Sequence, residues 1–153
     1  MTTNPAIEVY PLSKDELPQT LALVERVFMA FEAPEYSDEG VQTFLTFIRD
    51  PAAVSTLTFY GALENGVILG TIAMRANSHI ALFFVDAAQQ GRGVGRALFE
   101  AAKSSCRAER MTVNSSPYAV EIYRHLGFSP ISGEKVQDGI RYTPMQLILL
   151  KEC

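Results

Sequence analysis

The sequence runs to 153 residues, 48% hydrophobic and 20% charged, with a formal net charge of −4. This length suits one domain over residues 1–153 with a full core, and an acidic balance without basic runs speaks against a nucleic-acid surface or a polybasic membrane patch. No apolar run approaches the roughly 20 residues that span a bilayer, and the opening MTTNPAIEVYPLSKDE lacks the basic and apolar regions of a signal peptide.

IEVYPL alternates as a strand does, and SKDE then offers a capping box from Ser13 to Glu16 that opens a helix. Pro18 must lie in its first turn, so Asp15 is an equally good cap. Leu17, Leu21, Val24 and Phe28 fall at helical spacing and give this helix its apolar face. EYSDEGVQTFLTFIRDP reads as a second helix capped by Ser37, with Val41, Phe44, Leu45 and Ile48 inward and Pro51 ending it. STLTFYGAL and VILGTIAMR are strands joined by the hairpin chemistry of ENG. HIALFFV, residues 79–85, is a continuous apolar run, the pattern of a strand covered on both faces. A glycine-rich stretch leads into a helix reaching about Arg107, and the short strand MTVN follows. SSPYAVEIYRHLGF is a punctuated helix, with Ser116 at the cap, Pro117 at the first position and Gly127 just past the end. IRYTPMQLILL is a final strand, in which Pro144 points to an edge or a bulge. The order β-α-α-β-β-β-α-β-α-β is that of an α/β domain with antiparallel hairpins early and a parallel crossover late. Cys106 and Cys153 have no disulfide spacing, and His79 and His125 stand far apart, so a reduced, cytoplasmic protein without a metal is expected. His79 itself reads as a surface residue.

The stretch QQGRGVG, residues 89–95, is the most informative. Glycines permit unusual backbone angles and let another group come close to the main chain. A helix start adds unpaired N–H groups and a positive dipole end, which together suit a phosphate. A tight strand-to-helix turn with no ligand is the plainer alternative. The loop is not a P-loop, which needs Lys-Ser or Lys-Thr, nor a dinucleotide fingerprint, since Arg96 stands where the third glycine belongs. On the following helix Val94, Ala97, Leu98, Ala101 and Ala102 cluster toward the sheet. Arg92, Arg96, Lys103 and Arg107 lie opposite, the first two near a bound phosphate and the last two, roughly 15 Å on, as a solvated face.

Gln90-x-x-Gly93-x-Gly95 between a strand and a long helix resembles the acetyl-coenzyme-A pyrophosphate loop of the GCN5-related N-acetyltransferases, the GNAT family. The matches continue into MTVNSSPYAVEIYRHLGF, which is similar to the family in its strand-end Asn and its Ala-x-x-x-Tyr-x-x-x-Gly-Phe helix. These motifs cover Ile80 to Phe128, while the element order fits nearly the whole chain. The resemblance implies a mixed, mostly antiparallel sheet flanked by helices, with two splayed parallel strands forming an acetyl-CoA cleft. It implies acetyl-CoA as co-substrate and direct transfer to an amine, without a covalent enzyme intermediate. By the same resemblance the backbone of Phe83, Phe84 and Val85 pairs with pantetheine, and the Val85 N–H points at the thioester oxygen. Gln90, Gly91, Arg92, Gly93, Val94, Gly95 and Arg96 then hold the pyrophosphate. Asn114 bonds a pantetheine carbonyl, and Tyr123 gives its proton to the departing thiolate. From the residues alone, a turn or cap residue is the plain alternative for Asn114, and helical spacing by itself favours Tyr123 as an amphipathic core tyrosine whose hydroxyl reaches water. A phenol near its ordinary pKa of about 10 is protonated at neutral pH in either case. Tyr118, five residues earlier, faces elsewhere.

No motif identifies a general base. FEAPEYSDEG lies where the family's acceptor pocket is walled, and Glu32, Glu35 and Tyr36 could bind a cationic amine or relay its proton; a solvated interhelical loop is the plain alternative. The expected function is acetylation of a primary amine on a small molecule, by a monomer or homodimer. A protein or peptide amine as acceptor, or a non-catalytic CoA-sensing module, are the alternatives.

Overall fold

The computed structural model describes residues 7–149; the first six residues and residues 150–153, Leu150 and Cys153 among them, lie outside the described residues. Strand β1 (Glu8–Pro11) leads to Ser13, whose N–H donates to the Glu16 carboxylate at 2.9 Å and whose hydroxyl donates to it at 3.1 Å. Ser13 rather than Asp15 therefore opens the turn, and α1 (Leu17–Phe31) starts with Pro18 in its first turn, where no N–H is needed. The Ser37 hydroxyl accepts the Gly40 N–H at 3.2 Å and caps α2 (Asp38–Ile48). Pro51 does end that helix, but it also begins a one-turn helix, α3 (Pro51–Val54), capped by Asp50 through the Ala52 N–H at 3.0 Å. The break is legible in the sequence as Pro51, whereas a one-turn helix is too short to show periodicity.

Strands β2 (Leu57–Glu64) and β3 (Val67–Arg75) meet at Asn65-Gly66, both with positive φ, as a two-residue hairpin of this hand requires. After β4 (His79–Val85) come α4 (Val94–Ser105), β5 (Arg110–Ser115), α5 (Val120–His125), β6 (Ser129–Pro130), β7 (Lys135–Gln137) and β8 (Ile140–Ile148). The sheet order is β1-β2-β3-β4-β5-β8-β6, with β7 also on β8. All neighbours are antiparallel except β4 and β5. This is the mostly antiparallel sheet, with one parallel pair and flanking helices, that the family resemblance implies. Pro144 is on neither a free edge nor a bulge. It pairs with Asn114 of β5, and on its other side it falls between the stretches of β8 that β6 and β7 cover, where its carbonyl accepts the Ile131 N–H at 2.8 Å.

Two cores fill the two faces. Phe28, Leu45, Ile48, Phe59, Leu82 and Phe84 lie under α1 and α2; Ile72, Leu98, Phe99, Met111, Tyr123 and Met145 lie under α4 and α5. The strand buried on both faces is β3, through seven consecutive residues, and not β4. In β4, Ile80, Leu82 and Phe84 are buried, whereas Ala81, Phe83 and Val85 are half-exposed. The cause is a missing neighbour. Helix α4 stops at Ser105, which leaves Arg92 and Arg107 outside it, and Phe99 joins Val94, Leu98 and Ala102 in the core while Ala97 and Ala101 are half-buried.

Candidate active site

The site begins where the parallel pairing ends. His79 opposes Thr112 and Ile80 opposes Val113, and no further pair joins β4 to β5. At Ala81 the strand carries an extra residue, because Met74 faces Ile80 while Ala73 faces Leu82. Such a bulge turns the following side chains over and bends the strand. Ile80 thus packs in the α4 core, but Leu82 packs under α1. His79 is half-buried at this fork, not on the surface, with Nδ1 2.8 Å from the Thr112 hydroxyl. Burial and then the nearby Arg75 charge lower its pKa.

Beyond the fork, β4 presents bare backbone. Asp86 N–H donates to Leu69 O on β3 at 2.9 Å. Since N–H groups alternate sides along a strand, the Val85 and Phe83 N–H groups point the other way, into the gap. The loop beyond is pinned on both flanks: Arg26 pairs with Asp86 at 2.8 Å, and Arg92 pairs with Glu64 at 2.7 Å. Gly91 and Gly93 have φ of 85° and 77°, the left-handed region that favours glycine. Gly93 caps α4, whose first-turn N–H groups belong to Val94, Gly95 and Arg96. A Cβ on Gly95 would stand 3.7 Å from Val85 and 3.8 Å from Phe83, and so would intrude between helix and strand without striking either. Gly95 and Gln90 line the cavity there. A narrow bare-backbone slot leading to a helix N-terminus fits a pantetheine arm and its pyrophosphate. Arg92 departs from expectation, since its guanidinium is held by Glu64 and it precedes the helix.

The slot has two adjoining parts that share lining residues at the fork. Its outer half is bounded by Phe31, Val85, Gln90, Gly95, Tyr118 and Ile122. Its inner half is a cavity of about 150 Å³ that reaches Tyr36, Phe44, Asn114, Ser116 and Ile140. Glu32, Phe83, Phe84, Ala119 and Tyr123 border both halves. The structure therefore brings together Tyr123, Asn114, Val85, the glycine loop, Glu32 and Tyr36. Glu35 is not among the lining residues; its carbonyl accepts from Arg141 at 3.1 Å.

Tyr123 is 5% exposed, between Phe83 at 6.1 Å and Phe128 at 5.5 Å. Burial, and secondarily the Glu32 charge, push its pKa well above the ordinary phenol value, so the hydroxyl is not the ordinary one expected from sequence, although it is still protonated at neutral pH. Glu32 is pushed up to about 7, chiefly by burial and further by Glu35, with Ser116 opposing. The Ser116 hydroxyl is buried and has no partner within hydrogen-bond geometry. Tyr36 is also pushed up, by burial and then by Glu32 and Glu35.

Several lining residues went unread. Tyr118 does not face elsewhere: it stacks on Phe31 with ring centroids 5.5 Å apart and walls the outer half. Val27 and Phe31, four apart on α1, widen its apolar stripe beyond the core face, and that was a usable signal. Ile140 arrives on the β7–β8 hairpin, whose Asp138-Gly139 turn is the strongest short hairpin signal a sequence offers. The largest concavity, about 750 Å³, lies under β1, α1 and α3 and away from all these groups. Among the described residues no cluster of three metal-ligating side chains is present, and no helix is long and apolar enough to cross a membrane.

The family model described as acetyltransferase (GNAT) domain matches residues 32–149. A solved GCN5-related N-acetyltransferase from Rhodopseudomonas palustris, also titled aminotransferase, class-II, is 23% identical with a TM-score of 0.81, over 97% of this chain and 98% of that one. The PaiA N-acetyltransferase of Thermoplasma acidophilum, in complex with coenzyme A, is 16% identical with a TM-score of 0.70, over 94% and 99%. FeeM, an N-acyl amino acid synthase from uncultured soil microbes, is 16% identical with a TM-score of 0.66, over 95% and 92%. At these identities the likeness is one of fold. No curated protein matches the chain at a significant level.

Proposed function

The chain belongs to the GNAT acetyltransferase family, and we propose that it is a single-domain enzyme that moves the acetyl group of acetyl-CoA directly to a primary amine on a small molecule. The observation that carries this is the fork. Two strands pair over two residues and part, and a phenol, a carboxylate near neutrality and bare N–H groups border the gap. Phe83 and Val85 would pair with pantetheine, the N–H groups of Val94, Gly95 and Arg96 would meet the pyrophosphate beside Gln90, Gly91 and Gly93, and Asn114 would bond a pantetheine carbonyl. The thioester arrives already activated, so the protein has to align the amine, stabilise the oxyanion and move two protons.

In this reading Glu32 takes a proton from the bound ammonium, leaving a nucleophilic nitrogen. The nitrogen–carbon bond forms while the Val85 N–H stabilises the negative oxygen. The carbon–sulfur bond then breaks, and the thiolate takes the Tyr123 proton. The second proton lost by nitrogen as the amide forms restores the phenol. A Glu32 near neutrality is well matched to this task, because it is largely ionised at pH 7.5 yet basic enough to accept. The donor also places the protein where acetyl-CoA is available, which we take to be the cytoplasm. The test is release of thiol from acetyl-CoA that depends on added amine. It should fall about 10²-fold in kcat in Tyr123→Phe, with acetyl-CoA affinity unchanged. Acetyl-CoA binding without amine-dependent thiol release would leave a CoA-sensing module instead.

A further inference from the structure

We infer that the acceptor is a compact primary amine on an apolar or aromatic body without a carboxylate, an aralkylamine rather than an amino acid, a polyamine or a peptide; this rests on the acetyl-transfer reading above. Size comes first. The inner half holds about 150 Å³, the volume of a protein cavity that accepts one benzene ring. Much of its wall is aromatic or aliphatic, with Tyr36, Phe44, Phe84 and Ile140 among its lining. Phe44 is braced there, stacked on Phe28 at 3.9 Å and tilted against Phe84 at 5.9 Å.

Charge narrows the class further. Glu32 is the one ionic side chain bordering either half of the slot, and no Lys, Arg or His is among the described lining residues. The Arg141 charge acts on Tyr36 of the lining, but its guanidinium is already committed to the Glu134 carboxylate at 3.2 Å and the Glu35 carbonyl at 3.1 Å. A substrate carboxylate would therefore enter a part-buried acidic pocket with no cation to meet it, which is heavily penalised. A polyamine's second ammonium would find no second carboxylate in the lining. One ammonium, by contrast, finds the Glu32 carboxylate with the buried Ser116 hydroxyl beside it, two acceptors for its N–H groups.

Access narrows it once more. The turn of the β7–β8 hairpin is seated against the start of α2 so closely that a Cβ on Gly40 or on Gly139 would collide with the other's backbone. The Thr43 hydroxyl donates to the Asp138 carbonyl at 2.8 Å, and Arg141 ties the same hairpin to Glu35. Ile140, next to that turn, forms part of the inner wall. A polypeptide laid across this side would have to lift the hairpin first.

The test is the rate of thiol release from acetyl-CoA with the full chain and four acceptors: 2-phenylethylamine, phenylalanine, spermidine and a lysine-containing peptide. The expected kcat/KM for 2-phenylethylamine exceeds that for phenylalanine at least about 100-fold, the order set by an unpaired buried carboxylate, and exceeds the other two at least about tenfold. Ile140→Arg, which supplies the missing cation, should shrink the first ratio at least about tenfold. Equal or better turnover of phenylalanine, spermidine or the peptide by the wild-type protein overturns the inference and leaves acetyl transfer standing. No thiol release with any amine, from protein that binds acetyl-CoA by calorimetry, overturns both.

Discussion

The outer and inner halves of the cleft are made of different material. The outer half has one wall of main chain from a single stretch, residues 83–96, with bare N–H groups of β4, two left-handed glycines and the first turn of α4, facing side chains of Val27, Phe31, Tyr118 and Ile122. To β4, β5 and Tyr123 the inner half adds side chains drawn from four separate places, Glu32 and Tyr36 after α1, Phe44 on α2, Ser116 before α5 and Ile140 on β8. Backbone can hold a common cofactor while most side chains drift, provided that nothing fills the slot. Side chains from distant segments can be exchanged one at a time to change the acceptor without disturbing the donor. The halves should therefore respond to substitution in opposite ways: the outer half to added atoms, the inner half to altered chemistry.

The largest effect is expected where an atom is added to the slot. Gly95→Asp places a Cβ and a negative charge between α4 and β4, and acetyl-CoA binding should weaken at least about 10³-fold by calorimetry. The fold should survive, since the nearest neighbours of that Cβ, at 3.7 and 3.8 Å, are in ordinary contact. Unchanged affinity would remove the loop from the donor site.

An intermediate effect is expected on stability, and in the favourable direction. Glu32 has a usual pKa of 4.5 that the fold raises to about 7. Its ionised form is thus disfavoured by folding, and the penalty appears as pH rises from about 4.5 to 7 and persists above. Glu32→Gln should accordingly be more stable than wild type at pH 8, by about 1–2 kcal/mol given the partial exposure of the carboxylate. The gain should vanish near pH 4.5. Denaturant titrations at the two pH values read this directly, and a destabilised variant at pH 8 would mean that Glu32 is a structural residue.

The smallest effect concerns the loop's outer brace. Arg92 and Glu64 form a part-exposed pair, with side chains 40% and 19% exposed, and such pairs contribute at most about 1 kcal/mol. Glu64→Gln should raise the KM for acetyl-CoA about threefold by loosening the loop, with kcat unchanged. A lowered KM would instead mean that Glu64 competes with phosphate for Arg92.

The same division explains what the sequence disclosed. Glycines at 91, 93 and 95 advertise the outer half because few other residues satisfy φ of 85° and 77° or leave the slot open at Gly95. The strands and most of the caps were legible for a similar reason, as local periodicity and local hydrogen bonds create them. HIALFFV misled because apolar residues facing a cleft look the same as apolar residues facing a core, and only the departure of β5 after Val113 separates the two. Glu32 could be named, yet its near-neutral pKa arises from burial and from Ser116, 84 positions away in the chain. Phe44 and Ile140 were similarly plain until the Gly40–Gly139 contact brought their segments together.

The central claim is that a carboxylate and a phenol that both border the two halves serve one acetyl transfer, and the pH dependence of kcat/KM for the amine at saturating acetyl-CoA tests it most directly. Burial sets the Glu32 titration first, opposed by the Ser116 hydroxyl and reinforced by the Glu35 charge, while the Glu32 charge in turn raises the Tyr36 and Tyr123 phenols and Arg141 is held by Glu134 and the Glu35 carbonyl. Wild-type kcat/KM for the amine should rise with pH through about 7, as Glu32 loses its proton before the ammonium binds, and then level off until the amine itself deprotonates. In Glu32→Gln that limb should be absent and kcat/KM at pH 8 lower by about 10²-fold, with acetyl-CoA affinity intact. A limb at the same pH in Glu32→Gln, or an undiminished kcat/KM, would contradict the account.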